Sequence, residues 1–295
     1  MNKRMIKFLD YWKYFTAVSL AVLLFGFASM YYWGHTYSID FVGGTNLQYL
    51  FNKETSKREI ESSLLSSKIQ AVSIEKQEDG KSFLIRLPAI SEQREVILRN
   101  TLEKDIGTKI VVIKTETVGP VIGGETLKKT GIAALIAVLG ILLYIAYAFR
   151  NVNFAVAAIA ALFHDVFIVI GLYSVVSHFF GAQLDSLFVT ALLTTMSFSV
   201  HDTIVVFDQI RDYRKKFGSD LIEEHANQAL TDTMVRSLNN SFTIIFMLLA
   251  LVLLGGTTIR FFAVALLIGT IAGTYSSPFV ATPIAVWLEK TKNSR

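Results

Sequence analysis

The ionisable residues of greatest chemical interest lie inside apolar runs. Burying a charge in such a run costs free energy, so these residues are candidates for a functional role. Asp202 lies in the apolar run 185–207, directly after His201, and a second pair, His164 and Asp165, lies in the preceding apolar run. Ionisable side chains at membrane depth are rare and are typical of ion pathways and proton relays. These four side chains are therefore candidate proton carriers.

Arg236 is a candidate partner for Asp202. Asp202 lies roughly 8 Å from the nearer end of its run at the helical rise, and Arg236 precedes the next long apolar run on the same side. An aspartate that gains or loses an arginine partner changes its pKa by about 1 to 3. The pair is therefore predicted to act as a proton switch. Asp165, roughly 20 Å from the same side, is the candidate second station.

Two other roles for the buried charges stay open. They could pair with one another and hold helices together, as buried polar residues in membranes often do. They could also bind a metal ion, but neighbouring residues on a helix point about 100° apart, so each His-Asp pair offers at most one good ligand. We therefore expect no metal and no cofactor. The absence of cysteine excludes disulfides, thiolate metal sites and cysteine nucleophiles.

Two glycine patterns have structural explanations. Gly269 and Gly273 form a small-xxx-small pair, which is typical of close helix packing in membranes. The segment 119–124 has the glycine spacing of a phosphate loop, but Glu125 stands where that motif needs lysine and would repel phosphate. We therefore expect the glycines of 119–124 to let the chain turn from a strand into a helix.

The elements that position these residues are apolar helices. The chain has 295 residues, of which 52% are hydrophobic, and its mean hydropathy is +0.47. A helix needs about 20 apolar residues to span a bilayer. Six runs qualify as transmembrane helices: residues 14–33, 130–149, 152–177, 185–207, 239–254 and 260–288. The last run contains Pro278 and Pro283, which predict a kink.

The charged loops predict the orientation of the spans. Residues 1–13, Arg150, the linker 208–238 and the tail 289–295 carry basic residues, while the loop 178–184 has no Lys or Arg. The long charged loop after the first span is exempt from this count. By the positive-inside rule the basic segments face the cytoplasm, and so do both termini. The net charge of +4 is then a consequence of topology, and we expect no nucleic-acid partner. Within the linker, apolar residues at helical spacing indicate a short amphipathic helix on the membrane surface, and a solvated connector is the alternative that stays open.

Residues 34–128 predict a small extracytoplasmic α+β domain. The sequence there alternates and is rich in charge, and about ninety residues suffice for an independent domain. The strands are predicted at 38–51, 69–77, 82–87 and 109–118, and the helices at 55–67 and 91–106, with a hairpin turn at 78–80. The order β-α-β-β-α-β is typical of a ferredoxin-like unit. Because no catalytic set converges in it, we expect a docking or mechanical domain.

Several motifs, in order along the chain, give a resemblance to a known family. They are Ser38-Ile-Asp40-Phe-Val-Gly43-Gly44-Thr45, Val118-Gly-Pro-Val-Ile-Gly123, Ala161-Leu-Phe-His164-Asp165-Val, His201-Asp202-Thr-Ile-Val-Val-Phe-Asp208, Arg236-Ser-Leu-Asn and Gly269-Thr-Ile-Ala-Gly-Thr-Tyr-Ser-Ser277. Together they resemble the SecF branch of the SecD/SecF protein-export family. The resemblance implies a half-transporter of the RND superfamily and no enzymatic activity.

The resemblance also implies partners and residue roles. The expected partners are SecD, the SecYEG channel, the translocating preprotein and the lipid bilayer, with SecA acting earlier in export and YajC as a further candidate. The implied location is the bacterial cytoplasmic (inner) membrane. Asp202 matches the family's proton-relay aspartate and Arg236 its partner. Asp40, with Gly43 and Gly44, matches a segment expected to couple the external domain structurally.

The chain departs from the family pattern beside the relay residue. The family usually has asparagine where this chain has His201, a residue that could tune the neighbouring aspartate or add a relay step. The implied coupling ion is H⁺, while Na⁺ stays open because Asp, Thr and Ser side chains offer oxygen ligands. Two other functions also stay open: half of an RND-type exporter of small molecules or lipids, and a passive scaffold of the translocon.

Overall fold

The computed structural model describes residues 5–77, 80–149, 151–218 and 221–293. The proposed turn residues Glu78 and Asp79 and the basic residue Arg150 lie outside the described residues, as do the two ends of the chain. The chain divides into two compact units, of which one comprises Met1–Thr36 with Ala133–Arg295 and the other Tyr37–Ile132.

The elements up to the second apolar run are a mixture of helices and strands. A 3₁₀ turn, Phe8–Tyr11, leads into the first helix, and the remaining elements follow in chain order. They are α1 (Trp12–Tyr32), β1 (Thr36–Tyr37), α2 (Ile39–Val42), β2 (Gly44–Phe51), α3 (Lys57–Ser66), β3 (Ser73–Lys76), β4 (Ser82–Leu87), α4 (Glu92–Ile106) and β5 (Ile110–Val118).

The smaller unit contains one four-stranded antiparallel sheet, and the helices α3 and α4 pack on it. Its strand order is β3-β4-β2-β5, and all three strand pairs are antiparallel. Alternate residues of β2, such as Leu47, Tyr49 and Phe51, are fully buried and pack with apolar residues of α3 and α4. The period-two burial of β2 fits a sheet that is covered by helices on one face.

The predicted strand 38–51 is wrong in its first part. Residues Ile39–Val42 form the short helix α2 instead, and the strand begins at Gly44. Ser38 starts the helix because its side chain accepts a hydrogen bond from the Asp40 backbone N–H. Gly43 ends the helix with a φ of 76°, a backbone conformation that favours glycine.

The second half of the chain is almost entirely helical. Its elements are α5 (Pro120–Ala148), α6 (Val152–Phe180), β6 (Gln183–Leu184), α7 (Ser186–Phe217), α8 (Ile222–Leu254), α9 (Thr257–Ser276), a π-helical segment (Ser277–Ala281) and α10 (Thr282–Asn293). Within the described residues, six helices are long and apolar enough to cross a membrane when α9 to α10 count as one. The predicted fold class of a helical membrane protein is thus confirmed.

The linker 208–238 does not form a separate surface helix. Helix α7 continues to Phe217 and α8 already begins at Ile222, so the linker consists mostly of extensions of these two helices. Five apolar side chains suggested an amphipathic helix. Ile222, Ala226, Ala229 and Leu230 are buried in the bundle core, and Leu221 is exposed. The amphipathic pattern is explained by packing on neighbouring helices instead of on a membrane surface.

The helices of the bundle differ in how far they are covered. In the most apolar window of each helix, 56% of α6 is buried against 6% of α5. Helix α6 contacts α1, α7 and α9, while α9 also packs on α7 and α8. The interior of the bundle is therefore formed by α6, α7 and α9, and the side chains that these three helices direct inward form the functional site.

Candidate functional site

Asp165 on α6 is the centre of a buried hydrogen-bond network. Its side chain is 4% exposed. Oδ1 accepts a hydrogen bond from His164 Nδ1 at 2.8 Å, and Oδ2 accepts from Ser199 Oγ at 2.5 Å and from Ser276 Oγ at 2.7 Å. Both carboxylate oxygens are occupied by donors, so burial of this charge is compensated. The three donors join α6 to α7 and α9.

His164 extends the network to a fourth helix. Because its Nδ1 donates to Asp165, the opposite ring nitrogen, Nε2, is the atom that meets the next polar groups. These are Ser19 Oγ on α1 and the Tyr275 hydroxyl on α9, which lies 3.1 Å from Nε2. Ser19 Oγ and the Tyr275 hydroxyl are 2.9 Å apart. A continuous chain of groups that can exchange protons therefore runs from α7 through Asp165 and His164 to α1.

Asp202 on α7 is buried and has one side-chain hydrogen-bond partner among the described residues. It is 6% exposed, and its Oδ2 accepts a hydrogen bond from Ser237 Oγ of α8 at 2.7 Å. In the described part of the chain no ion pair joins it to Arg236, whose side chain is exposed. Ser237 of α8 faces Asp202, and the neighbouring Arg236, about 100° further round the helix, acts on that carboxylate through its charge. His201 is likewise exposed.

Hydroxyl groups of α7 and α9 meet at Asp165 and again one turn further along α7. Ser199 of α7 and Ser276 of α9 both reach Asp165, and one turn further along α7 the Thr203 hydroxyl lies 2.9 Å from Ser277 Oγ. Ser277 opens the π-helical segment, a type of irregularity that is frequent at functional sites. A rearrangement around Thr203 and Ser277 would therefore also disturb the contact of α7 with α9 at Asp165.

Gly269 and Gly273 bring α9 close to α7. A Cβ atom built on Gly269 would lie 2.3 Å from Thr195 Cγ2, and one built on Gly273 would lie 3.0 Å from Ser199 Cβ. Any side chain at Gly269 would push the two helices apart, because neighbouring Cβ contacts below 3.0 Å are not tolerated. The pair thus sets the distance at which Ser199 and Ser276 can share one carboxylate.

The segment with Asp40, Gly43 and Gly44 meets the start of α5. A Cβ atom on Gly43 would lie 2.7 Å from Pro120 Cα, and one on Gly123 would lie 2.7 Å from Gly43 N. The prediction that the glycines at 119–124 serve a turn is therefore incomplete, because α5 already begins at Pro120 and Gly123 serves close backbone contact. Asp40 is half-buried in the first turn of α2.

Sequence reasoning missed four residues of these networks. Ser276 donates to Asp165 and Ser237 to Asp202, while Ser19 and Tyr275 contact His164. For Ser19 a signal is present, since Ser19, Gly26 and Ser29 are the buried residues of α1 and share one face of that helix. Small residues on one face of an apolar helix indicate helix contact. Among the residues that the structure describes, no three His, Asp or Glu side chains are grouped to hold a metal ion.

The chain is similar to proteins of known type. The family model described as "Protein export membrane protein SecD/SecF, C-terminal" matches residues 99–291. "Protein translocase subunit SecF" of Thermobaculum terrenum is 39% identical over 296 residues, covering 95% of this chain and 93% of that protein. The corresponding protein of Anaerolinea thermophila is 36% identical and covers 92% and 91%.

A solved structure shows the same arrangement. The crystal structure of SecDF from Thermus thermophilus, a translocon-associated membrane protein, superposes with a TM-score of 0.85 at 32% identity. The match covers 98% of this chain and 39% of the SecDF chain, so this chain spans well under half of that protein. A SecDF structure in a super-membrane-facing form matches with a TM-score of 0.71.

Proposed function

The chain belongs to the SecD/SecF family of protein-export membrane proteins, and we propose that it is an accessory subunit of the Sec protein translocase that uses an ion gradient to promote export. Relatives that cover it almost end to end are named as translocase subunits. In the Thermus thermophilus protein named SecDF, a homologue of this chain is part of one longer polypeptide. SecD is therefore the partner with the strongest support.

The wider setting is part of the same proposal. The protein is a multi-pass membrane subunit of the bacterial cytoplasmic membrane with both termini in the cytoplasm, since the basic loops favour that orientation. The sheet of the smaller unit then lies outside the cytoplasm as a ferredoxin-like domain, supported by its β-α-β-β-α-β element order. SecYEG, SecA, the preprotein and YajC are further proposed partners.

The observation that carries ion coupling is the pair of buried carboxylates on neighbouring helices. Asp165 is 4% exposed and Asp202 is 6% exposed, in helices that are long and apolar enough to span a membrane. Such groups are costly in a bilayer and are typical of proton pathways. We assign the exchangeable proton to Asp202, because one neutral hydroxyl is its only side-chain partner among the described residues.

The proposed mechanism links this proton to helix contacts. When Asp202 is ionised, it accepts a hydrogen bond from Ser237 and attracts a cation such as Arg236 or His201 into the α7–α8 interface. When it is protonated, it can donate a hydrogen bond and no longer attracts these cations. The contact between α7 and α8 therefore differs between the two states. In both protonation states of Asp202, the hydrogen bonds of Asp165 and His164 keep α1, α6, α7 and α9 in the same relative positions.

The energy available matches a helix movement of this kind. One proton that crosses a potential of 100 mV releases about 2.3 kcal/mol. A pH difference of one unit adds about 1.4 kcal/mol. A small number of protons therefore suffices to shift an equilibrium between two arrangements that differ by a few kcal/mol.

Export by membrane vesicles tests the proposal. Vesicles that contain this protein with its SecD partner are given a secreted reporter, with and without an imposed proton gradient. We expect Asp202→Asn to remove the gradient-dependent part of export at equal abundance of the complex. The control Glu224→Gln changes an exposed carboxylate of α8 and should keep the full stimulation. Unchanged stimulation in Asp202→Asn would exclude this residue as the coupling site.

The same vesicles decide between the two candidate ions. We expect a proton gradient to stimulate export and a sodium gradient of equal size to have no effect. Stimulation by sodium alone would assign the coupling to Na⁺. If neither gradient acts although the complex is intact, the passive scaffold is the better description, and the saturated network of Asp165 is then its structural basis.

A further inference from the structure

A pocket of about 340 Å³ lies where α7 changes from apolar to charged sequence. It is bounded by the junction of α5 with α6 and by the part of α7 that follows Phe207. Neither of the two buried aspartates lines this pocket, and neither do their hydrogen-bond partners. Its walls differ in character, with aromatic rings on one side and basic side chains on the other.

The apolar wall consists of three phenylalanines from three helical regions. Phe207 packs edge-on against Phe149, with ring centroids 5.3 Å apart, and tilted against Phe154, with centroids 5.0 Å apart. All three rings are at most 5% exposed, so they form a fixed surface. Hydrocarbon is the natural contact for such a surface.

The basic wall consists of Arg211, Arg214 and Lys215 on consecutive turns of α7. Asp208 is the one carboxylate in the lining, and Arg211 Nη2 lies 2.7 Å from its Oδ1. The buried Nε of Arg211 has no hydrogen-bond partner among the described residues. An acceptor oxygen that enters the pocket would satisfy it.

Arg214 and Lys215, the other two basic residues of the pocket, pair with carboxylates that do not line it. Arg214 Nη1 lies 2.8 Å from Oε2 of the buried Glu289. Lys215 is 67% exposed and its Nζ stands 3.8 Å from Asp212 Oδ1. The ammonium of Lys215 and the free Nε of Arg211 are therefore the groups most open to a further anion, while Arg214 is held in place.

We propose that this pocket binds an anionic phospholipid, with the headgroup phosphate against Arg211 and Lys215 and the start of an acyl chain against the phenylalanines. Basic pockets between membrane helices near the charged surface are suited to acidic headgroups. A soluble anion such as phosphate would use only the basic wall. The aromatic wall and the position at the apolar-to-charged boundary of α7 favour a ligand that has both a phosphate and hydrocarbon.

Lipid binding to the full complex tests the proposal. The protein is purified with its SecD partner, and native mass spectrometry compares the retention of phosphatidylglycerol and phosphatidylcholine with identical acyl chains. We expect phosphatidylglycerol to be retained preferentially and glycerol phosphate not to displace it at equal concentration. Equal retention of the two lipids, or displacement by glycerol phosphate, would overturn the proposal, the latter by indicating a site for soluble anions.

A matched pair of variants localises the effect to the pocket. We expect Lys215→Gln to weaken phosphatidylglycerol binding about fivefold, and Arg211→Gln combined with it to weaken binding more. Lys216→Gln removes an equal charge from the next residue, which is exposed and does not line the pocket, and should leave binding within twofold. Equal losses in Lys215→Gln and Lys216→Gln would contradict the site, since general attraction of a basic surface would produce them.

Discussion

The two buried aspartates differ sharply in how they are held. Asp165 receives three side-chain hydrogen bonds from residues of α6, α7 and α9, and both of its oxygens are occupied. Asp202 receives one, from Ser237. Both side chains are almost fully buried, so the degree of burial does not distinguish them. The difference lies in the number of partners that would have to move if the charge were lost.

A saturated carboxylate and a sparsely bonded one suit different tasks. Neutralising Asp165 would turn one of its two acceptor positions into a donor that faces other donors, so its charge is tied to the packing of the bundle. Neutralising Asp202 disturbs one hydroxyl contact between α7 and α8. We therefore assign the structural role to Asp165 and the exchangeable proton to Asp202.

The largest expected effect on stability follows from replacement of Asp165. Asp165→Asn removes the charge, and its amide group presents hydrogen to donors that already point inward. We expect the free energy of unfolding to fall by about 2 to 3 kcal/mol. Asp202→Asn, with one partner, should cost about 1 kcal/mol or less. Unfolding of the purified protein in mixed micelles measures both, and equal losses would remove the distinction between the two sites.

The next largest effect on stability is expected from variants at the close contact of α7 with α9, which positions the donors to Asp165. Gly269→Ala places a methyl group against Thr195 and should lower stability by about 1 to 3 kcal/mol. Gly273→Ala, where the approach is 3.0 Å and not 2.3 Å, should cost less. Gly140→Ala on α5, where nothing lies within 4 Å, is the control and should be neutral or slightly stabilising. A larger loss for Gly140→Ala than for Gly269→Ala would show that the α7–α9 distance is not the limiting contact.

Two serine variants are expected to separate stability from coupling. Ser276→Ala removes one of three donors to Asp165 and should cost about 1 kcal/mol, with gradient-stimulated export retained. Ser237→Ala removes the side-chain donor to Asp202 and should cost about 0.6 kcal/mol while changing the gradient response. The same vesicle assay and the same unfolding measurement apply to both. If the gradient response is altered in Ser276→Ala and not in Ser237→Ala, the two assignments are reversed.

The smallest effect on stability is expected at Tyr275, which lies at the end of the hydrogen-bond network that leads from Asp165 through His164. Tyr275→Phe removes one of the two hydroxyls at His164 Nε2, and Ser19 remains as the other. We expect a loss of about 0.6 kcal/mol, the typical strength of such a bond in a membrane bundle. A loss as large as that of Asp165→Asn would mean that the hydroxyl pair, and not the carboxylate, holds the helices.

The sequence was a good guide to features that depend on neighbouring residues. The strand at Ser82–Leu87 has the predicted bounds, and the apolar runs correspond to helices, because periodicity and hydropathy are local properties. Asp202 and Asp165 were recognised for the same reason, as charges within apolar runs. The helix α2 was missed because a cap by Ser38 and the end at Gly43 outweigh the strand propensity of its residues.

The sequence did not show which side chains meet across the bundle. Ser19, Ser199 and Ser276 come together at one site although Ser19 and Ser276 are separated by most of the chain. Serine is common in membrane helices, and periodicity indicates a buried face without identifying its partner. At Asp202 the sequence favoured Arg236 for its charge and did not show that the neighbouring Ser237 donates a hydrogen bond to the carboxylate.

Infrared spectroscopy of the reconstituted complex tests the central claim most directly, because the stretching band of a protonated carboxyl group reports the protonation of a buried aspartate. We predict a buried carboxyl band that titrates with pH in the wild-type protein, disappears in Asp202→Asn and persists in Asp165→Asn. Loss of the band in Asp165→Asn with its retention in Asp202→Asn would contradict the account and would place the exchangeable proton in the network of four helices.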